Sequence, residues 1–183
     1  MMETTVTNLI QIYMPKLEAA RNVYPHLKVA EVLKEFSKKL KLLEDVEKEI
    51  EVYLKESIIN HSWGRDNRLW FVAVLEKPSI TYVKSLLEIL KIQDASTPYW
   101  RALDVLAYMP QSISVSAVPE LTQIIESNNP VWSDEILKKA FETLIWIRDK
   151  EGIEFISRAC DSDIERISLM AKYWFNWLNE EDE

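Results

Sequence analysis

The stretch VKSLLEIL, residues 83–90, sets a pattern that returns twice, as VPELTQII at residues 118–125 and as IEFISRAC at residues 153–160. Both offsets are 35 residues. Each copy has apolar residues at its first and fourth positions and an apolar residue or Cys160 at its eighth, a spacing that places them on one face of a helix. A period of this length predicts helical hairpins stacked one on the next.

The helix that precedes each copy can be aligned as well. The matched apolar triplets are Phe71, Val72 and Leu75; Ala102, Leu103 and Leu106; and Ala140, Phe141 and Leu144. Their offsets are 31 and 38 residues, so the turn inside each hairpin varies in length, as loops tolerate. A last amphipathic helix from about Ser162 to Leu178 ends the series.

With this spacing, residues 66–178 resemble HEAT or armadillo-type α-solenoids. The resemblance implies an all-α fold: a short right-handed α-solenoid of HEAT-like helical hairpins. It also implies that the outward positions of the second helices form an extended binding surface. We expect residues 63–183 to form these repeats, within a single all-helical domain that covers residues 1–183 and ends in a frayed acidic tail of four residues.

The N-terminal segment, residues 1–62, has the longest apolar periodicity of the chain. Alternating steps of three and four residues, broken at Glu47, connect Val29, Leu33, Phe36, Leu40, Leu43, Ile50 and Leu54. This pattern predicts a long amphipathic helix, or two helices if a second begins near Asp45. We expect the apolar face to pack inside the chain; the alternative is a homodimeric coiled coil through residues 29–54.

Composition excludes several classes of protein. The chain has two glycines where average usage predicts about a dozen, so it cannot contain a glycine-rich nucleotide-binding loop. The one cysteine excludes an intrachain disulfide and favours the cytoplasm. A net charge of −8, without a clustered excess of Lys and Arg, argues against nucleic acid. We see no signal peptide, and the longest apolar run, residues 69–75, is too short to cross a membrane.

No residue pattern indicates catalysis, a metal or a cofactor. The histidines, His26 and His61, have no second histidine three or four residues away, and we interpret them as residues at helix ends. Cys160 aligns with Leu90 and Ile125, which predicts a buried and inert thiol. We therefore expect a protein that is not an enzyme.

The seven tryptophans divide by position. We expect Trp70, Trp100, Trp146 and Trp174 to lie in the core and Trp132 to pack at a helix start, whereas Trp63 or Trp177 is the candidate for an exposed contact. The loop that follows Trp63 contains Arg65 and Arg68, which would pair with nearby carboxylates or bind an anionic group.

These observations predict a non-enzymatic protein-interaction module, an adaptor or scaffold that binds a protein partner through its solenoid surface. The candidate contact residues are Glu88, Glu120, Gln123, Glu126, Glu154, Arg158, Trp63, Arg65 and Arg68. An immunity- or inhibitor-type protein that neutralises a partner enzyme is the first alternative. The second is a HEAT-like lyase or transferase subunit with an aromatic-lined ligand pocket.

Overall fold

The computed structural model describes residues 5–23, 25–44 and 46–181, and their side chains except those of residues 22, 23, 25–27 and 181. Over these residues the fold is all-α and 78% helical, with no strand. The all-α prediction is confirmed. The chain divides into two compact units, Met1–Tyr82 and Val83–Glu183, hereafter unit 1 and unit 2. The predicted acidic tail continues past residue 181, outside the described residues.

In the part of unit 1 that the structure describes there are four helices and the start of a fifth. They are α1 (Val6–Val23), α2 (Pro25–Leu40), α3 (Glu47–Asn60) and α4 (Asn67–Glu76), and α5 (Ile80–Lys91) begins here and continues into unit 2. Helix α1 packs along α2 and also contacts α3 and α4, and it runs without a break through Pro15. Helix α4 packs on α1, α2 and α3 within unit 1, and the single domain expected over residues 1–183 remains a prediction.

The amphipathic stretch of residues 29–54 forms two helices, which settles the question that the periodicity left open. Helix α2 ends at Leu40 and α3 begins at Glu47, where the apolar series is interrupted. Val29, Phe36, Leu40, Ile50 and Leu54 are buried within unit 1. Five of the seven apolar side chains of the predicted seam are therefore buried inside unit 1, and a homodimer through residues 29–54 remains a prediction.

Glu49 and Lys77 make long-range hydrogen bonds to the backbone within unit 1. Glu49 on α3 accepts hydrogen bonds from the backbone N–H groups of Val6 and Thr7, both at 2.8 Å, and so caps the start of α1. The Lys77 ammonium donates to the backbone oxygen of Leu43 at 2.8 Å, in the turn that follows α2. In both cases a side chain satisfies backbone groups that the helix cannot pair itself.

Unit 2 continues with α6 (Tyr99–Tyr108), α7 (Gln111–Ser114), a 3-10 turn (Val115–Ala117), α8 (Val118–Glu126), α9 (Asp134–Ile147), α10 (Lys150–Ala159) and α11 (Glu165–Glu181). Helix α6 packs on α9, which packs on α11, and α8 packs on α10. Helix α10 also contacts α9 and α11. The core between them includes Leu103, Leu121, Phe141, Leu144, Phe155 and Ile156.

Local sequence signals explain the helix starts in part. Ser133 caps α9, accepting from the Ile136 N–H at 3.3 Å, with Trp132 buried before it. Thr97 lies just before α6, but its hydroxyl is buried without a partner and makes no capping bond. Ser162 lies too early to cap α11, which begins at Glu165, and instead accepts from the Ile164 N–H at 3.2 Å.

Neither glycine is needed for a left-handed backbone conformation. Positive φ angles fall on His61, Asn128 and Arg148, and His61 and Arg148 end α3 and α9. The expectation that His61 closes a helix is confirmed. Gly152 is buried in the first turn of α10, close to Val118 and Leu144.

Candidate functional site

The outward positions of α5 and α8 form the first candidate surface in unit 2. The Lys91 ammonium lies 2.9 Å from a Glu88 carboxylate oxygen and 2.5 Å from a Glu120 carboxylate oxygen. These hydrogen bonds, that to Glu120 above all, raise the pKa of Lys91. Two of the predicted contact acids are thus paired with one lysine. Beside them is an open groove of ≈ 420 Å³ that Gln123 helps to line.

The remaining predicted residues of unit 2 are solvent-exposed. Glu126 ends α8, and Glu154 and Arg158 lie one turn apart on α10. A Glu154 carboxylate oxygen lies 3.5 Å from the ammonium of Lys150, which begins the same helix. Exposed pairs of this kind contribute little to stability, so these side chains are free to change partners.

The predicted loop residues Trp63, Arg65 and Arg68 belong to unit 1. Trp63 is half-buried, with its ring centroid 6.4 Å from that of Phe71, so it is not a fully exposed anchor. Arg65 is exposed, with a guanidinium nitrogen 3.7 Å from a Glu18 carboxylate oxygen. Arg68 is half-buried, and burial together with repulsion from a nearby arginine lowers its pKa.

Three large aromatic side chains stand out on α6 and α9 because they are exposed. Trp100, Tyr108 and Trp146 expose 46%, 57% and 48% of their surface. The prediction that Trp100 and Trp146 lie in the core is wrong, whereas Trp70 and Trp174 are buried as expected. Trp177, the other candidate for an exposed contact, is half-buried and its ring lies edge-on to Trp174.

A lysine lies at the centre of these aromatic residues. The Lys139 side chain is 5% exposed, and its ammonium lies 2.8 Å from Asp104 and 3.3 Å from Glu142. It also lies 5.4 Å from the ring centroid of Trp100 and 6.0 Å from that of Tyr108. Burial acts to lower the pKa of Lys139, but the hydrogen bond to Asp104 and the two carboxylates outweigh it, and the pKa is raised. Lys139 is therefore a fixed cation at neutral pH.

Glu142 connects this lysine to the third aromatic residue. One carboxylate oxygen pairs with Lys139 and the other accepts the indole N–H of Trp146 at 3.1 Å. The Trp146 ring centroid lies 6.4 Å from that of Tyr108. We call the resulting set the α6–α9 cluster; its members are Trp100, Asp104, Tyr108, Lys139, Glu142 and Trp146.

The helical register explains why the cluster faces solvent. Trp100, Asp104 and Tyr108 are spaced four residues apart, so they share one side of α6, while Ala102, Leu103 and Leu106 point into the core. The sequence contained a signal that was missed. The offset of 38 residues that aligns α6 with α9 also equates Tyr108 with Trp146, two residues beyond the matched apolar triplet.

The other chemically notable side chains lie apart from the cluster. Cys160 is half-buried rather than buried as predicted, and its thiol donates to the Ile156 backbone oxygen at 3.5 Å. Burial, and to a lesser degree Asp161, raises the pKa of this thiol. The side chain of His26 lies outside the described residues.

The charge of the chain is divided unevenly between the units. Residues 1–82 carry 12 basic and 12 acidic side chains, whereas residues 83–183 carry 10 basic and 18 acidic ones. The whole net charge of −8 therefore belongs to unit 2.

Comparison with protein-family models, curated proteins and solved structures gives no match. Among the described residues, no group of three or more His, Cys, Asp or Glu side chains is arranged to hold a metal ion. None of the described helices combines the length and apolar character that crossing a bilayer requires.

Proposed function

We propose that this chain is a non-enzymatic protein-binding module and that the α6–α9 cluster is its main contact surface. The proposal includes a short, right-handed HEAT-like solenoid in unit 2. The helix packing supports this arrangement, because α6, α9 and α11 form one row and α8 and α10 form a second, as stacked hairpins require. A cytoplasmic location is part of the same proposal.

The observation that carries the proposal is the exposure of Trp100, Tyr108 and Trp146 on adjoining helices. Single exposed apolar residues are common on protein surfaces, but a grouped set is typical of an interaction site. Trp and Tyr are also enriched among the residues that contribute most binding free energy at protein interfaces.

The polar members of the cluster favour binding because they hold the rings in place. Trp146 is fixed by its hydrogen bond to Glu142, and the Lys139 ammonium lies near both rings on α6. A preorganised surface loses less conformational entropy when a partner binds. The acidic surface of unit 2 would in addition accelerate the encounter with a basic partner.

The charge of unit 2 also supports the first alternative, an immunity- or inhibitor-type protein that neutralises a basic partner enzyme. The lyase or transferase alternative has less support. The cleft of ≈ 990 Å³ in unit 1 is lined by Glu44, Glu47, Glu51, Glu76, Lys48, Lys77 and four neighbours, none of them a tryptophan. A pocket for a bulky apolar ligand would need apolar walls.

Affinity capture with four forms of the protein tests the proposal. The first three are the wild type, the Trp100→Ala/Trp146→Ala variant and, as a control, Tyr173→Ala, which removes an exposed aromatic residue on α11. The fourth reverses Glu120, Glu126 and Glu154 to Lys and so tests the outward surface of α8 and α10. We expect one partner to co-purify with the wild type and with Tyr173→Ala, and to be lost with the double variant.

The fourth form distinguishes the two surfaces of unit 2. If the triple reversal abolishes capture and the double tryptophan variant does not, the second-helix surface is the binding site and the cluster is not. If no partner is retained by any form under crosslinking, the proposed function is wrong. Circular dichroism of each variant checks that the fold is retained.

A further inference from the structure

We propose that the α6–α9 cluster binds a guanidinium group, the arginine side chain of a partner protein, on Asp104 between the rings of Trp100 and Tyr108. This inference rests on the proposed function and adds the chemistry of the partner.

The arrangement along α6 places a carboxylate between two exposed rings. Trp100, Asp104 and Tyr108 follow one another at intervals of four residues, and four residues of α-helix rise about 6 Å. Trp100 and Tyr108 are therefore about 12 Å apart along the helix axis with Asp104 midway, so a guanidinium bound to Asp104 would have one ring on each side. Asp104 uses one oxygen for Lys139, and 35% of its side chain remains exposed.

The charges of the cluster favour a cation. Asp104 and Glu142 supply two negative charges and Lys139 supplies one positive charge, so the cluster has a net charge of −1 within an acidic unit. A carboxylate or phosphate would add a like charge to this surface and be repelled. The faces of the aromatic rings also favour a cation, because the ring quadrupole attracts positive charge.

One cation already lies in this position, since the buried Lys139 ammonium is 5.4 Å from the Trp100 ring centroid. Arginine suits the exposed side better than a second lysine does. Its guanidinium is planar, is weakly hydrated, stacks on aromatic faces and donates two parallel hydrogen bonds to a carboxylate. A compact, strongly hydrated ammonium would lose more solvation between the rings.

Peptide titrations followed by the indole N–H resonances of ¹⁵N-labelled protein test this inference. The probes are acetyl-Gly-Gly-Arg-Gly-Gly-amide and the same peptide with lysine, citrulline or proline at the centre. Citrulline has the shape of arginine without its charge. We expect the arginine peptide to shift the Trp100 and Trp146 resonances with a Kd of about 1 mM, and the citrulline peptide to bind about tenfold more weakly.

Variants locate the binding site. Trp100→Phe and Trp146→Phe assign the two resonances. Asp104→Asn should weaken the arginine peptide about tenfold, while Asp161→Asn, an exposed acid outside the cluster, should leave it unchanged. Tyr108→Leu gives a second test that leaves the ion pairs of Lys139 with Asp104 and Glu142 intact, and it should weaken binding as well.

The inference is overturned if the arginine and citrulline peptides bind with equal Kd, or if the proline peptide binds more tightly than the arginine peptide. It is also overturned if the arginine peptide moves neither resonance. These failures can be distinguished from failure of the proposed function. If the wild type still captures a partner that Trp100→Ala/Trp146→Ala does not, the proposed function holds, and only the binding through arginine is wrong.

Discussion

Lys139 on α9 donates to Asp104 on α6 at 2.8 Å, and this contact joins the two helices that pack most closely in unit 2. The lysine is almost fully buried, whereas the aspartate is one-third exposed. The two ends of the ion pair therefore differ in what their removal leaves behind. Removing the acid leaves a buried cation, and removing the lysine leaves an acid that water can still reach.

We expect Asp104→Ala to lower the free energy of unfolding by about 1–3 kcal/mol, because Lys139 loses its closest partner. Lys139→Met keeps the volume and removes the buried charge, so its cost should stay within about 1 kcal/mol. Urea unfolding followed by circular dichroism measures both. Lys150→Met, which breaks an exposed pair on α10, is the control and should cost less than about 0.5 kcal/mol. A larger loss for Lys139→Met than for Asp104→Ala contradicts this account.

Leu40 and Leu42 give a matched test of internal packing against dimerisation. Leu40 is fully buried at the end of α2, whereas Leu42 is 76% exposed. Leu40→Glu should unfold unit 1 or lower its melting temperature strongly, because it buries an unpaired charge. Leu42→Glu should leave the melting temperature nearly unchanged. Sedimentation of both variants completes the test, since a folded, monomeric Leu40→Glu derived from a dimeric wild type would establish the coiled coil instead.

Glu49 should matter for stability although it is one of six acids between residues 44 and 56. It accepts the first N–H groups of α1, where a negative charge is also favoured by the helix dipole. Glu49→Ala should therefore cost about 1 kcal/mol, as the loss of a capping group does. Glu56→Ala, an exposed position on the same helix, should cost almost nothing. Equal melting temperatures for the two variants would show that the cap contributes little.

The two glycines should respond differently to alanine. A Cβ at Gly152 would lie 3.5 Å from Val118 and 3.6 Å from Leu144, which is ordinary van der Waals contact. Gly152→Ala should stabilise the protein by about 0.5–1 kcal/mol, because alanine favours the helix. At Gly64 a Cβ would lie 2.6 Å from the Asp66 carboxylate, whose other oxygen accepts the Trp70 indole N–H. Gly64→Ala should be neutral or destabilising, and thermal melting compares the two.

The sequence predicted the helices well because apolar periodicity is a local property. The interruption at Glu47 coincides with the start of α3, and Ser133 caps α9 as its position indicated. The pattern was less informative about Trp100 and Trp146, since tryptophan suits both a core and a contact surface. Their exposure depends on how α6 and α9 pack, which no local pattern records.

The long-range polar contacts could not be predicted from the sequence either. Glu49 and Val6 are 43 residues apart, and nothing near either residue indicates the other. Lys139 followed Lys138 in an amphipathic helix, and only the packing of α9 on α6 shows which of the two is buried. A protein-binding surface was the hypothesis from the sequence and remains the proposal, but Trp100 and Trp146, on which the proposed site depends, were expected in the core.

The uneven division of charge has a consequence for behaviour in mild acid. At neutral pH unit 1 has equal numbers of basic and acidic side chains, so protonation of a few carboxylates makes it net positive while unit 2 is still negative. As the pH approaches the isoelectric point, the two units thus carry net charges of opposite sign, and unit 1 of one molecule attracts unit 2 of another. We expect reversible clouding at low ionic strength that added salt clears, since attraction between exposed charges is screened by ions.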